Sequence, residues 1–246
     1  KFQMTVSHLW HDIKYITMPK KIIVYGDSFS NPACCKTECD KMWYRHLSPE
    51  HAKSDVINRA RAGNNTAHMF LEATHDCVTN QHPIHMLVGL GPLQRLPKYT
   101  DKWYHEEFIK PTEQPGLRDY LEYMQSHTPS DIELTNNEKG RTLGSNLYKN
   151  IIGLDCLARK HGHHLLVVHM HHIEYEHHRE HPLVAPLERT AEQCNYVDQQ
   201  HSCHSVCKHA DIRPWDFDTY GAHGHHSAEG QAFFGTHIKR LLAGEE

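Results

Sequence analysis

Two segments of the sequence combine residue types that can carry out acyl transfer. Gly26-Asp27-Ser28-Phe29 follows a short apolar run near the start of the chain, and Gly224-His225-His226-Ser227 lies close to its end. A serine hydroxyl becomes a strong nucleophile when a nearby histidine accepts its proton. We therefore consider Ser28 a candidate nucleophile and His225 its candidate general base.

The elements that must position these residues follow from short apolar runs that alternate with stretches of helical spacing. Four runs predict buried strands: Lys21–Tyr25, Asp55–Asn58, His85–Leu90 and His164–His169. Helices are predicted over Thr37–Leu47, Thr66–Val78, Leu143–His161 and Pro182–Asp198, and from an N-cap at Ser227 to Leu242. This alternation predicts a three-layer α/β/α sandwich with a central, mostly parallel, flavodoxin-like sheet. Ser28 then lies at the carboxyl edge of the sheet, where open α/β folds bind ligands.

The domain organisation is predicted to be simple. Residues 1–19 form an N-terminal extension, and residues 20–246 form one domain interrupted by an excursion at about 92–141 that is rich in prolines and aromatics. The excursion follows a strand end and so lies near the ligand-binding edge. Its Arg95 is a candidate contact for an anionic group of a substrate.

Three sequence blocks resemble those of the SGNH, or GDSL, hydrolases: Gly26-Asp27-Ser28, residues 56–66 (VINRARAGNNT) and residues 224–231 (GHHSAEGQ). The resemblance implies the SGNH type of α/β/α fold, with Ser28 as nucleophile and His225 as base. It also implies an oxyanion hole built from the backbone N–H groups of Ser28 and Gly63, and an acyl-enzyme intermediate. Small esters, including O-acetyl groups of carbohydrates, are frequent substrates of that family.

The chain departs from the family pattern in front of the histidine. An aspartate that orients the imidazole usually stands three residues before it, and here that position is Ala222. Asp218 and Asp216 are the nearest carboxylates upstream and are the candidate orienting acids. Alternatively, a backbone carbonyl holds the imidazole and leaves a Ser-His dyad.

A second departure concerns the oxyanion hole. The family's third block usually carries an asparagine, but here it is Gly89-Leu90-Gly91-Pro92. Asn64, or its neighbour Asn65, is a candidate replacement donor. Losing one such donor commonly costs about 10² to 10³ in rate.

Two alternatives to a hydrolase come from these departures and from the cysteines and histidines. The first is a binding or assembly protein that keeps the fold without turnover. The second is a metal-binding module with a structural zinc held by Cys203, Cys207, His201 and His209, although their spacing matches no closed zinc pattern. His169 and His171 would share a face if the fourth strand continues past its end. The hydrolase itself requires no cofactor.

Composition excludes several classes of protein. A formal charge of −4 argues against a strongly basic nucleic-acid binder, and 38% hydrophobic with 23% charged residues is typical of a globular chain. No apolar stretch approaches about 18 residues, so no membrane span is predicted. The polar residues among the first 17 and the eight cysteines favour a soluble, cytoplasmic protein with reduced thiols.

Most of the 26 histidines are expected at the surface. The partner is expected to be a small-molecule or carbohydrate ester, and the oligomeric state is left open.

Overall fold

The computed structural model of the chain describes residues 21–35, 37–61, 64–91, 136–170, 184–210 and 225–245. The predicted N-terminal extension, 1–19, lies outside the described residues, as does the excursion up to residue 135.

The described part of the chain contains a four-stranded parallel sheet. Its strands are β1 (Lys21–Gly26), β2 (Asp55–Asn58), β3 (His85–Leu90) and β4 (His164–His169), in the order β2-β1-β3-β4. All four predicted strands are confirmed. β2 was expected to be buried on both faces, but it lies at the edge of the sheet and is half-exposed. The chain changes direction across the sheet between β1 and β3, and the crevice beside such a reversal is where open α/β sheets bind ligands.

Six α-helices and four short 3-10 turns accompany the strands among the described residues. The helices are α1 (Pro49–Lys53), α2 (Thr66–Thr79), α3 (Asn136–Lys160), α4 (Ala185–Ala191), α5 (Cys203–His209) and α6 (Ala228–Ala243). The 3-10 turns are Ser28–Ser30, Cys39–Lys41, Trp43–Arg45 and Gln199–His201. α2 and α6 confirm two predictions, and the side chains of Asn65 and Ser227 cap their N-termini. α3 begins earlier than predicted, and only Ala185–Ala191 of the predicted helix at 182–198 is helical.

The helix predicted over Thr37–Leu47 is wrong, since this stretch forms the turns Cys39–Lys41 and Trp43–Arg45. Met42, Trp43 and Tyr44 are all fully buried, and three consecutive residues cannot share one face of an α-helix. Met42 has an extended backbone, with φ −74° and ψ 149°, which separates the two turns.

The two faces of the sheet bury separate cores. On β1, Ile23 and Tyr25 point to the core covered by α2, α3 and α4, whereas Ile22 and Val24 point to the core beneath the 3-10 turns, α5 and α6. Burying one large apolar side chain contributes about 1.5–3 kcal/mol, so both helical layers have a reason to stay on the sheet. The predicted three-layer α/β/α architecture is confirmed. None of the described helices has the length and apolar character needed to cross a membrane.

Candidate active site

The turn that carries Ser28 starts where β1 ends. Asp27 is fully buried, and its Oδ1 accepts a hydrogen bond of 3.0 Å from the backbone N–H of Phe29. Ser28 opens the 3-10 turn and is 8% exposed. The carboxylate of Asp27 thus takes up an N–H at the start of the turn, which fixes the backbone that presents Ser28.

Glycines on β1 and β3 allow this turn to lie close against the sheet. A Cβ at Gly26 would lie 2.7 Å from Ser30 Cβ, and one at Gly89 would collide with Ser30 Oγ. Ser30 is fully buried, and its Oγ accepts a hydrogen bond of 3.4 Å from Trp43 Nε1. Ser30 therefore holds the turn against the sheet at the boundary between β1 and β3.

Asn64 lies beside the same turn. Pairing with β1 continues past the end of β2, because the N–H of Arg61 donates to the carbonyl of Gly26 at 3.1 Å. The side chain of Asn64 is buried, and its Nδ2 donates to that same carbonyl at 3.2 Å. The structure thus places the Asn64 carboxamide at the carbonyl of Gly26, two residues before Ser28, whereas Gly63, the other predicted oxyanion donor, lies outside the described residues.

The end of β3 is crowded at the position where the SGNH pattern has an asparagine. In the sequence resemblance, Gly91 stands where that asparagine usually does. A Cβ built on Gly91 would lie 2.5 Å from Oδ2 of Asp27. The buried carboxylate therefore occupies the space that a side chain at position 91 would need, and any such side chain requires Asp27 to shift.

His225 lies next to the residue that follows Ser28. Its ring centroid is 4.9 Å from that of Phe29, and the ring centroid of the fully buried His226 is 5.1 Å from that of Phe29. Ser227 begins α6 by accepting a hydrogen bond from the N–H of Gly230 at 3.1 Å. The start of the last helix thus brings His225 to the Ser28 turn.

Several predicted contributors lie outside the described residues. These are the candidate orienting acids Asp216 and Asp218, the position Ala222 where the family has its aspartate, and the candidate anion contact Arg95. The described part of the site therefore consists of Ser28, Asn64 and His225 with their supports.

Gln231 supports the site, and the sequence reading gave it no role. It is fully buried in the first turn of α6. Its Nε2 donates to the carbonyl of Phe29 at 2.9 Å, and its Oε1 accepts from the N–H of Trp43 at 3.2 Å. A signal was present in the sequence, because Gln231 shares a helical face with the apolar Phe234 and Ile238, three and seven residues later. A polar residue at such a core position is expected to have specific partners.

The four candidate zinc ligands are not brought together as a set, because the side chains of Cys203 and Cys207 hydrogen-bond to each other but no third candidate joins them. Cys203 and Cys207 are fully buried, whereas His209 is exposed and His201 Nδ1 lies 3.1 Å from Nε2 of His237. No group of three or more histidine, cysteine, aspartate or glutamate side chains in the described ranges is arranged to hold a metal ion.

The buried thiols instead pack under the Ser28 turn. Cys35 Sγ donates to the carbonyl of Ser28 at 3.3 Å, and Cys207 Sγ donates to the carbonyl of Gly230 at 3.6 Å. Burial raises the pKa of Cys35 and of Cys203, so both remain neutral thiols near pH 7. The eight cysteines are all free. These thiols pack as small apolar groups against the turn and the start of α6.

His169, predicted to face the ligand edge together with His171, ends β4 and is 1% exposed. Its Nε2 lies 2.7 Å from the hydroxyl of Tyr196. His171 lies outside the described residues, so the predicted pairing of these two imidazoles stays a prediction.

No protein-family model matches this chain, and no curated protein matches it in sequence. Similar solved structures include a member of the lipolytic G-D-S-L family from Veillonella parvula, at 14% identity and a TM-score of 0.45, covering 90% of this chain and 96% of the other. The esterase EstA from Pseudoalteromonas has 11% identity and a TM-score of 0.48, covering 92% and 98%. The acetyl xylan esterase AlAXEase has 10% identity and a TM-score of 0.44, covering 91% and 98%. The structural neighbours thus include members of the family that the sequence blocks resemble.

Proposed function

We propose that this chain is a divergent serine hydrolase of the SGNH type, which cleaves small esters, including O-acetyl groups of carbohydrates, through an acyl-enzyme. One observation carries the proposal: the ring centroids of His225 and Phe29 lie 4.9 Å apart. It puts an imidazole beside the turn whose first residue is Ser28, at the carboxyl edge of a parallel sheet. Serine and base come from opposite ends of the sequence, and only the fold joins them.

The reaction proceeds in two steps, formation of the acyl-enzyme and its hydrolysis. In the first, Ser28 Oγ attacks the ester carbonyl while the imidazole of His225 takes the hydroxyl proton, and the imidazolium then gives that proton to the departing alkoxide. In the second, His225 removes a proton from water, the hydroxide attacks the acyl carbon, and the proton returns to Ser28 Oγ. The products are an alcohol and a carboxylic acid.

The negative charge on the carbonyl oxygen needs hydrogen-bond donors that are in place beforehand. The backbone N–H of Ser28 and the carboxamide of Asn64 are the described candidates, and Gly63 N–H completes the set proposed from the sequence. Asn64 already donates to the carbonyl of Gly26 at 3.2 Å. This bond holds the carboxamide next to the turn. We assign the second N–H of the Asn64 carboxamide to the oxyanion.

A non-catalytic binding protein is the second candidate, and Gly91 is the observation that favours it. The residue that supplies an oxyanion donor in the family is absent there, and the carboxylate of Asp27 fills its place. A fold kept only for binding tolerates this loss without compensation, whereas an enzyme needs Asn64 or another donor in its stead.

The test must separate a serine enzyme from simple imidazole chemistry. A chain with 26 histidines has a background reaction with activated esters, because imidazole is itself a nucleophile. Hydrolysis of p-nitrophenyl acetate is therefore measured to saturation in the wild type, Ser28→Ala and His225→Ala, with His75→Ala as an exposed-histidine control. Labelling by a fluorophosphonate probe is followed in the same four proteins.

We expect saturable hydrolysis and labelling in the wild type and in His75→Ala, and loss of both in Ser28→Ala and His225→Ala. Hydrolysis that does not saturate and is equal in all four proteins would reject the enzyme and leave the binding protein as the better candidate.

A further inference from the structure

The carboxamide of Gln231 joins three separate pieces of chain beneath the proposed catalytic site. We propose that Gln231 is a positioning residue that fixes the register between the turn carrying Ser28 and the helix that follows His225. This inference rests on the proposed hydrolase function and adds to it a residue that makes no contact with the substrate.

Two hydrogen bonds of the carboxamide reach distant backbone, and its Nε2 also donates to Sγ of Cys35 at 3.7 Å. Nε2 donates to the Phe29 carbonyl at 2.9 Å across 202 positions of sequence, and Oε1 accepts from Trp43 N–H at 3.2 Å across 188 positions. The side chain has no exposed surface. Since leaving buried backbone groups without partners is costly, both backbone bonds are kept as long as the helix is docked.

The docking leaves little freedom for the helix to slide. Gly235, one turn after Gln231, packs directly on the carbonyl of Trp43, and a Cβ there would collide with that oxygen. Trp43 thus meets α6 through its N–H and its carbonyl, on neighbouring turns of the helix. A shift along the helix axis would break the first contact and compress the second.

This register sets where the imidazole of His225 lies. Ser227 caps the same first turn, and His225 precedes it by two residues. The other end of the link is Phe29, whose carbonyl receives the carboxamide and whose ring contacts His225 at 4.9 Å. The nucleophile turn and the base are therefore tied through one side chain, and a misplacement of about 1 Å is enough to cost about 10²-fold in rate.

The site requires a donor and an acceptor on the same planar group. Methionine has neither, and an ionised glutamate has only acceptors, one of which would face the Phe29 carbonyl. A protonated glutamate has both, because its hydroxyl donates to Phe29 and its carbonyl accepts from Trp43. Burial raises the pKa of a carboxyl group. We therefore expect Gln231→Glu to behave like the wild type at low pH, where the carboxyl group is protonated, and to lose kcat relative to the wild type as pH rises.

The experiment compares Gln231→Glu and Gln231→Met with the wild type between about pH 5.5 and pH 8. Gln193→Glu and Gln193→Met are the matched controls, because Gln193 is exposed. Ester hydrolysis is expressed per folded protein, with the folded fraction taken from urea titrations at each pH. We expect Gln231→Met to lower kcat by about 10²-fold at every pH, with KM changed by less than about twofold.

For Gln231→Glu we expect the ratio of its kcat to that of the wild type to rise about tenfold or more toward low pH, because protonation restores the donor. Taking the ratio removes the pH dependence that both proteins share. A ratio that stays flat with pH, or a Gln231→Met variant with wild-type kcat, would overturn the positioning role. The Gln193 variants should follow the wild type throughout.

Labelling of Ser28 by a fluorophosphonate separates this inference from the proposed function. A wild type that is neither labelled nor active refutes the hydrolase and the positioning role with it. A labelled, active wild type together with equally fast labelling of Gln231→Met refutes the positioning role alone.

Discussion

The two edges of the sheet both bring a serine near a histidine, and they differ in what surrounds the pair. At the carboxyl edge, Ser28 opens a turn after β1 and His225 arrives with α6. At the amino edge, Ser48 Oγ lies 2.7 Å from His51 Nδ1, and the other nitrogen of that ring lies 3.2 Å from His85 Nδ1.

The hydroxyl at the amino edge already has a structural task. Ser48 Oγ accepts the N–H of His51 at 3.1 Å and so caps α1. Around Ser28, by contrast, Asp27 binds the backbone of the turn, and Asn64 binds the carbonyl of Gly26 at the end of β1. A Ser–His hydrogen bond is therefore a poor guide to catalysis, and the better guide is whether the fold gathers donors at the edge where parallel strands end.

Exchanging each serine for alanine gives the largest expected difference between the edges. Ser28→Ala should lower kcat/KM by at least about 10³-fold, because the nucleophile is gone. Ser48→Ala should leave kcat/KM unchanged and lower the free energy of unfolding by about 1 kcal/mol, because α1 loses its cap. Ester hydrolysis and urea unfolding of both variants measure this. Equal losses of activity would remove the distinction between the edges.

Two neighbouring asparagines sharpen the comparison within the carboxyl edge. Asn64→Ala should lower kcat by about 10²-fold, as loss of an oxyanion donor does. Asn65 accepts the N–H of His68 at 3.0 Å and caps α2, so Asn65→Ala should cost about 1 kcal/mol of stability and leave kcat near the wild-type value. Steady-state kinetics with thermal unfolding distinguishes them. If the kinetic loss fell on Asn65 instead, the oxyanion donor would be misassigned.

The placement of Ser28 and His225 at the carboxyl edge was predictable because local patterns determine it. The apolar run before Gly26 predicts β1, and a residue that follows a parallel strand must lie at the carboxyl edge. Ser227 as N-cap predicts the start of α6 and therefore the place of His225 along the chain. Both predictions use only sequence neighbours.

The supports of that edge were not predictable in the same way. Gln231 bonds to residues about 190 to 200 positions away, and the space beside Gly91 is filled by Asp27, which follows a different strand, β1. The expectation that most histidines lie at the surface also meets exceptions, because His51, His85, His163, His169 and His226 are buried. His163, for example, accepts from Ile84 N–H and lies 2.9 Å from the carbonyl of Cys77, a pairing that depends on the packing of α2 against β3.

Restoring the family's asparagine tests whether Asp27 has replaced it. Gly91→Asn should lower the free energy of unfolding by about 1–3 kcal/mol and should not raise kcat, because the new side chain meets the buried carboxylate. Gly153→Asn is the control, since Gly153 lies on α3 with open space around it, and its effect should stay within about 0.5 kcal/mol. Denaturant unfolding and ester hydrolysis are measured. A more active Gly91→Asn protein would show that the space is open.

The buried histidines at the amino edge predict how the stability of the protein changes with pH. Burial, with His51 and His164 nearby, lowers the pKa of His85 from 6.5 to about 3. The pKa of His164, whose ring lies 4.8 Å from that of His85, is lowered by burial as well. In the unfolded chain these imidazoles protonate near pH 6.5, so below that pH the unfolded state binds more protons than the folded one. Stability is therefore full above about pH 6.5 and falls as pH decreases toward 3.

For His85 the loss amounts to about 1.4 kcal/mol per pH unit, or about 2 kcal/mol at pH 5. Asparagine does not titrate in this range. The slope of the unfolding free energy against pH should therefore be smaller in His85→Asn than in the wild type by about 1.4 kcal/mol per pH unit between pH 6 and 4, which corresponds to one proton. The exposed His82 provides the control, since His82→Asn should keep the wild-type slope. Urea titrations across this range measure the slopes. Equal slopes in all three proteins would mean that the amino-edge imidazoles protonate in the folded state and that burial does not keep them neutral.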